Sequence, residues 1–189
     1  CEMVAEILQY FADGIRIRNI EADSIYAGIM IDTNNFLTKT GVRTFEAAAF
    51  LRRCGADVTR VRKLFRENVE DYRAKGEAIR NAELFREHFA ISVCPSEGLE
   101  SPTVVGAQAA NELLNVIGVR ASFVLTDYRN TIYISARSID EINVQVIMER
   151  LGGGGHLNIA GAQLEHYSIA EATDTLKRTL QKMLDEGDI

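Results

Sequence analysis

The stretch Leu151-Gly152-Gly153-Gly154-Gly155-His156-Leu157-Asn158-Ile159-Ala160-Gly161 places four consecutive glycines directly before a histidine. Glycines put no side chain between the backbone and a neighbouring group, and they reach φ values that are closed to other residues. Such a loop can turn backbone N–H groups toward an anion, and a helix beginning behind it would favour the same charge. His156 can donate to a phosphate oxygen. The pattern therefore favours an anion site over a tight connector whose glycines serve only close packing.

The second half of the chain alternates strand and helix signals around this stretch. Strands are predicted over residues 89–93, 121–126, 131–137 and 162–165. Three helices are predicted. The first begins at Ser101-Pro102 and is closed by Gly118, the second spans residues 141–151 with Asp140 as its cap, and the third follows the cap Ser168. Strands interleaved with helices predict a mixed α/β domain.

The first half is predicted to be helical. Helices are expected over residues 2–13, 22–31 and 45–54, the last capped by Thr44, and a further one is capped by Asp57. Asp32 follows the apolar segment 22–31; on the residues alone, a carboxylate there more often caps the next turn than serves a function. The charged segment 69–82 has little apolar surface to bury and is typical of a connector. We therefore predict domains at 1–68 and 83–189, joined by a helix over 69–82.

Composition limits the classes of function. The chain has 189 residues, of which 47% are hydrophobic and 25% charged, and its net charge is −6. These values are typical of a globular protein and argue against non-specific binding to duplex nucleic acid. The three cysteines lack a CxxC pair, which indicates free thiols in a reducing compartment. The chain has no apolar run of membrane-spanning length. It does not begin with Met and opens directly on an amphipathic segment, so we expect a piece of a longer protein.

A cation ends the predicted strand upstream of the glycines. In Ser135-Ala136-Arg137-Ser138 an arginine is flanked by hydroxyl groups, and its planar fork suits bidentate contact with phosphate. If that strand lies beside the glycine stretch, Arg137 and His156 would converge on one anion. The alternative is an ion pair between Arg137 and Asp140 or Glu141. From these residues alone, a phosphate contact and an ion pair of Arg137 are about equally expected, and the neighbouring glycines favour the phosphate contact.

These motifs together resemble those of DHH-family phosphoesterases. The run from Gly152 to His156, with Ala160-Gly161 behind it, is similar to the family's GGGH-x-x-A-A-G, although Ile159 replaces the first alanine. Residues 135–138 resemble the family's strand that ends in Arg-Ser. Residues 28–36, GIMIDTNNF, look like the family's segment with an aspartate that binds metal. The resemblance implies a helical remnant of a DHH catalytic domain followed by a mixed-sheet α/β DHH-associated domain.

Within the family, residues 30–37 and 1–4 most closely resemble the cyclic-di-AMP phosphodiesterase branch. Its members are membrane-anchored signalling proteins that hydrolyse cyclic-di-AMP to the linear dinucleotide with two Mn²⁺ ions. The resemblance implies a cytoplasmic domain in which Asp32 is a manganese ligand. It also implies substrate contacts from Arg137, Ser138, Gly153, Gly154, Gly155 and His156. The family's Asp-His-His signature lies upstream of Cys1, and a lone aspartate does not make a binuclear centre. We therefore expect this chain to bind nucleotide and to lack activity alone.

Two alternatives stay open from the sequence. One is an oligoribonuclease or 3′-phosphoadenosine phosphatase of the same family. The other is a nucleotide-binding module without catalysis, for which the acidic charge argues against long single strands. The expected partner is a cyclic dinucleotide or short oligonucleotide, with no duplex nucleic acid and no membrane segment in this chain. A homodimer is one option for the oligomeric state.

Overall fold

The computed structural model describes residues 1–11, 14, 16–139 and 142–189, which divide into two compact units. The first unit is Cys1–Arg66 and the second is Glu67–Ile189. The domain boundaries that the sequence suggests, at residues 68 and 82, stay predictions.

The first unit is helical in the part of it that the structure describes. Its helices are α1 (Glu2–Tyr10), α2 (Asn19–Asp32), α3 (Val42–Arg53) and α4 (Val58–Leu64). Small side chains let these helices approach closely, since Ala5, Ala22 and Ala47 are fully buried. Helix α2 confirms the helical prediction for residues 22–31. The predicted end of the first helix, Asp13, lies outside the described residues.

At the starts of α3 and α4, side-chain oxygen atoms accept hydrogen bonds from backbone N–H groups. Asp57 caps α4 as predicted, because its Oδ1 accepts hydrogen bonds from the backbone N–H groups of Thr59 at 2.7 Å and Arg60 at 3.1 Å. The prediction for Thr44 is wrong. Helix α3 begins at Val42, and the Thr44 hydroxyl in its first turn accepts a hydrogen bond from the backbone N–H of Gly41 at 3.0 Å.

The second unit is a mixed α/β fold, which confirms the predicted class. Its helices are α5 (Val69–Arg80), α6 (Pro102–Leu113), α7 (Val144–Glu149) and α8 (Ile169–Glu186). Its strands are β1 (Glu83–Phe85), β2 (Phe89–Cys94), β3 (Ala121–Tyr128), β4 (Thr131–Ser138), β5 (Gly154–His156) and β6 (Ile159–Glu165). Within the described residues these strands form one sheet in the order β1-β2-β3-β4-β6-β5. Strands β2 and β3 are parallel, and the other neighbours are antiparallel.

Helices cover both faces of this sheet. One face packs against α7 and α8 in a core that includes Phe123, Ile134, Ile147 and Leu176. The other face packs against α5 and α6, and we call it the α6 face; there the Ser122 hydroxyl donates to the carbonyl of Ala110 at 2.6 Å. Helix α5, which the sequence suggests as a connector, contributes buried alanines to the α6-face core.

Residues on β4 alternate between the two faces. Ile132, Ile134, Ala136 and Ser138 are buried, whereas Thr131, Tyr133, Ser135 and Arg137 are half-buried on the α6 face. This alternation decides which polar side chains can meet a ligand on the α6 face.

Helix ends in the second unit match the sequence signals in part. Ser168 caps α8 as predicted, since its hydroxyl accepts a hydrogen bond from the backbone N–H of Glu171 at 3.3 Å. Helix α6 begins at Pro102 as predicted but ends at Leu113, before Gly118. Residues 140 and 141, the predicted start of α7, lie outside the described residues, and the described cap of α7 is Asn143. Among the described helices, none has the length and apolar character needed to cross a bilayer.

Candidate functional site

Residues Gly154–His156 of the glycine stretch form β5, which lies at one edge of the sheet in the part of the chain that the structure describes. Behind α7, the backbone N–H of Gly153 donates to the carbonyl of Met148 at 2.8 Å. The chain then enters β5, turns at residues 157–158 and returns as β6. Among the described residues no helix begins directly behind the glycines, and β6 confirms the strand predicted over residues 162–165. Residues 159–165 alternate exposed and buried positions with a period of two, which is the pattern of a half-buried strand.

Two of the glycines, Gly153 just before β5 and Gly155 within it, are needed because the backbone there lies very close to β6. A Cβ atom at Gly153 would lie 2.1 Å from the carbonyl oxygen of Gly161, and one at Gly155 would lie 2.5 Å from the Cα of Ala160. Gly155 also has a φ of +150°. Gly154, in contrast, has open space where its Cβ would be. Close packing therefore describes Gly153 and Gly155, while Gly154 borders space that a ligand can enter.

Strand register places Arg137 and His156 on the same face of the sheet. Arg137 pairs with Ile159 on β6, and Ile159 pairs with His156 on β5. Directly paired residues project to the same side, so these three residues form a row across three strands on the α6 face. Two strand spacings separate the outer Cα atoms by roughly 10 Å. We call these residues the Arg137–His156 row; two cationic or hydrogen-bonding side chains there can reach one anion.

Arg137 is a half-buried cation whose contacts are with neutral groups. Its Nε donates to Oδ1 of Asn111 on α6 at 2.9 Å, and its Nη1 donates to the carbonyl of Ala136 at 2.9 Å. Burial lowers the pKa of the Arg137 guanidinium, because desolvation disfavours the charged form. Guanidinium nevertheless stays protonated in proteins. Among the described residues Arg137 forms no ion pair, and its remaining N–H groups can bind an anion.

The alternative ion pair of Arg137 involves Asp140 or Glu141. Both residues lie outside the described part of the chain, so this alternative stays a prediction. His156 is exposed at the end of β5, and no hydrogen bond occupies its ring among the described residues. It is therefore accessible to a ligand on the α6 face.

Ser138 lies on the opposite face from Arg137. Adjacent residues in a strand point to opposite sides, and Ser138 is buried. Its hydroxyl accepts a hydrogen bond from Nδ2 of Asn158 at 3.2 Å, and its backbone N–H donates to the carbonyl of Asn158 at 3.1 Å. Ser138 thereby holds the turn between β5 and β6, which positions His156, and its contact with substrate stays a prediction. Ser135, two residues before Arg137, shares the α6 face.

A cleft of about 540 Å³ lies beside the Arg137–His156 row. Residues of α6, β4 and β6 line it together with the glycine stretch, and its polar side chains are those of Thr103, Tyr133, Ser135 and Gln163. Ser135 pairs with Gly161, which pairs with Gly154, so the middle of the floor is nearly bare backbone. These four side chains were not predicted as site residues. The period of two along β4 is the signal that could have found Tyr133 and Ser135, since both share the face of Arg137.

Asp32 lies in the first unit, where it ends α2. Its side chain is 65% exposed, and its Oδ2 lies 3.6 Å from the amino group of Cys1. Among the residues that the structure describes, no group of three or more His, Cys, Asp or Glu side chains is placed to hold a metal ion. The described residues therefore do not fit a two-manganese centre by themselves, and the role of Asp32 as a metal ligand stays a prediction.

Comparison with known proteins agrees with the motifs and the fold. The family model of the DHHA1 domain matches residues 89–184, which include the strands of the Arg137–His156 row and the cleft. The chain belongs to the DHHA1 domain family. This confirms the resemblance to the DHH-associated domain that residues 135–161 carry.

Relatives of this DHHA1 chain include two cyclic-di-AMP phosphodiesterases. The chain is 41% identical to GdpP of Bacillus subtilis (strain 168), over 98% of this chain and 28% of that protein. It is 42% identical to PdeA of Listeria monocytogenes serotype 1/2a (strain 10403S), over 93% of this chain and 27% of that protein. The chain thus spans under a third of the length of these relatives.

A solved structure shares the fold. The crystal structure of an exopolyphosphatase-related protein from Bacteroides fragilis is 23% identical to this chain and superposes with a TM-score of 0.83. The match covers 96% of this chain and 56% of that one. At this identity the likeness concerns the fold alone.

Proposed function

We propose that this chain is the substrate-recognising part of a phosphodiesterase that hydrolyses cyclic-di-AMP to the linear dinucleotide. The observation that carries the proposal is the Arg137–His156 row, in which two side chains able to bind phosphate share one face of the DHHA1 sheet. The similarity to two proteins named cyclic-di-AMP phosphodiesterases supports the choice of substrate. Two Mn²⁺ ions, with Asp32 among their ligands, and a membrane anchor belong to the same proposal for the whole protein.

Phosphodiester recognition follows from the chemistry of the row. Arg137 offers charge and a planar set of donors from a half-buried position, where an anion is screened less than in bulk water. His156 offers a second donor from the neighbouring edge strand. Both interactions also favour the additional negative charge that builds on the phosphate oxygens during hydrolysis. The residues of this chain therefore bind and orient the phosphate.

Calorimetric titration with cyclic-di-AMP and with the linear diadenylate tests the proposal. Arg137→Ala should weaken binding roughly 10- to 100-fold, because a hydrogen bond to a charged group contributes about 1.5–3 kcal/mol. His156→Ala should weaken it as well. The matched control is Arg178→Ala, which removes the same charge from an exposed side chain on α8 that pairs with Asp174 at 2.9 Å. Equal affinities in the Arg137 and Arg178 variants would contradict the proposal.

Activity measurements separate recognition from catalysis. With Mn²⁺ added, this chain should bind the dinucleotide without turning it over, because a lone Asp32 lacks the further ligands that a binuclear centre needs. Turnover comparable to that of a full-length relative would contradict this expectation. Titration with 3′-phosphoadenosine 5′-phosphate and with short oligonucleotides, run in parallel, separates the cyclic-dinucleotide function from the other activities of the family.

A further inference from the structure

The cleft beside the Arg137–His156 row differs from the row in its chemistry. Its polar lining side chains, Thr103, Tyr133, Ser135 and Gln163, are all uncharged, and the other lining residues are glycines, Ile134 and Ala162. Among the described residues, none of their side-chain oxygen or nitrogen atoms has a hydrogen-bond partner. Four such groups that converge on one concave surface, without bonding one another, are typical of a site for a polar ligand.

The cleft and the row are arranged in line along α6. Tyr133 precedes Arg137 by four residues on the same face of β4, which corresponds to roughly 13 Å. Helix α6 runs beside them: Asn111 near its end contacts Arg137, and Thr103 at its start lines the cleft with Tyr133. These two helix residues are separated by roughly 12 Å of helix rise, which matches the strand spacing. The face therefore has a cationic end and a neutral end, with a floor of bare backbone between them.

A nucleoside monophosphate unit has the same order of groups. Its phosphate is anionic, its ribose needs room and hydroxyl partners, and its base is flat, neutral and rich in hydrogen-bonding groups. We propose that the cleft binds an adenine base of the dinucleotide, with Tyr133 as the stacking surface and Gln163 as the residue that distinguishes adenine from guanine. This inference rests on the proposed function, since the phosphate at the Arg137–His156 row sets where the base lies.

Tyr133 is held in place for stacking. Its ring lies against that of Tyr128 on β3, with 6.5 Å between the centroids, and Arg129 lies over the Tyr128 ring at 4.9 Å. A supported aromatic ring loses little freedom when a base stacks on it. Base–aromatic stacking contributes about 1–3 kcal/mol per base, which is roughly 5- to 150-fold in affinity.

Gln163 lies opposite Tyr133 on β6 and provides the chemistry for selection. The two residues are direct partners in the β4–β6 ladder, and Gln163 is exposed toward the cleft. A glutamine amide can accept from N6 of adenine while it donates to N7. Guanine presents two acceptors, O6 and N7, at the same edge, so the amide oxygen would meet an oxygen. A lysine at this position would donate to both guanine acceptors instead.

Titration of this chain with linear diadenylate and linear diguanylate tests the inference. The natural chain should prefer the diadenylate. Gln163→Ala should reduce that preference roughly tenfold, and Gln163→Lys should reverse it. Tyr133→Ala should weaken both ligands, whereas Tyr133→Phe should retain affinity because stacking does not need the hydroxyl. Tyr167→Ala, which removes a half-exposed tyrosine outside the cleft, is the matched control.

The outcomes separate this inference from the proposed function. If neither dinucleotide binds in a manner that depends on Arg137, the proposed function is wrong. If binding depends on Arg137 but the ratio of adenine to guanine affinity is the same in the natural chain and both Gln163 variants, only the inference is overturned. Equal affinity of the natural chain for the two dinucleotides overturns it as well. If circular dichroism shows that Tyr133→Ala does not fold, the adenine-to-guanine affinity ratio of the Gln163 variants still tests the inference, because Gln163 is exposed.

Discussion

Replacement of Gly153 by alanine should pull β5 away from the sheet. The new Cβ would lie 2.1 Å from the carbonyl oxygen of Gly161 and 2.7 Å from the Cα of Ala162. Both neighbours are backbone atoms of β6, the strand that lies between β5 and β4, so neither can rotate aside as a side chain could. The strain must therefore be relieved by movement of β5.

The cost can be bounded from the structure. Overpacking a well-packed site costs about 1–3 kcal/mol. We expect the upper end, because the N–H of Gly153 is also bonded to Met148 and the overlap exceeds 1 Å. For a chain of this size, a loss of about 3 kcal/mol corresponds to a fall of roughly 6–12 °C in the midpoint of thermal unfolding. Because β5 carries His156, nucleotide affinity should fall together with stability.

Gly154→Ala, at the next residue and the first of β5, is the matched control. A Cβ there meets nothing within 4 Å, and φ is not in the left-handed region. Its unfolding free energy should be unchanged or should rise by about 0.4–1 kcal/mol, since alanine restricts the unfolded chain. The methyl group would project into the cleft, so nucleotide binding should weaken while stability does not.

The measurements are urea unfolding followed by far-UV circular dichroism, hydrogen exchange of the β6 amides and calorimetric titration with linear diadenylate. The expected result is loss of stability only in Gly153→Ala and loss of affinity in both variants. Equal unfolding free energies for the two variants would refute the close-packing argument. Full affinity in Gly154→Ala would remove this residue from the ligand site.

Two further predictions concern buried ionisable groups. Burial, with Glu77 nearby, raises the pKa of the Cys94 thiol to about 11. Because the thiol ionises at lower pH in the unfolded chain, the unfolding free energy should fall between about pH 9 and 11 in the natural chain and not in Cys94→Ala. Identical urea midpoints across that pH range in the natural chain would contradict this prediction. Arg60 donates to the buried Asp23 carboxylate at 2.6 Å and lowers its pKa. That stabilisation is present above the ordinary carboxyl pKa and is lost as pH falls through the lowered pKa. Asp23→Asn should therefore reduce the loss of unfolding free energy on acidification. The same loss in both proteins would exclude the ion pair as its cause.

Local signals were enough for much of the fold. Asp57 and Ser168 precede apolar helical patterns and cap α4 and α8, because the hydrogen bonds of a cap lie within four residues of each other. Thr44 shows the limit of the same rule. A threonine can serve the first turn from inside the helix as well as from its cap, and only the position of Gly41 decides which.

The edge strand β5 was missed for a different reason. Four glycines have weak preference for any regular structure, so the state of this stretch depends on what lies beside it. What lies beside it is β6, and the carbonyl of Gly161 and the Cα of Ala160 approach too closely for any side chain. Glycine-rich sequence was therefore evidence of close approach, and sequence alone does not tell whether the neighbour is a ligand or another strand.

The candidate site depends on register between strands that are distant in sequence. Arg137 and His156 can face one ligand only because Ile159 pairs with both, and a shift of one residue in either ladder would send one of them to the opposite face. Ser138 holds that register, since its bonds to Asn158 fix the turn that joins β5 to β6. The two residues of the Arg-Ser motif thus lie on opposite faces of the sheet: Arg137 faces the candidate site, and Ser138 holds the turn that keeps His156 on the same face as Arg137.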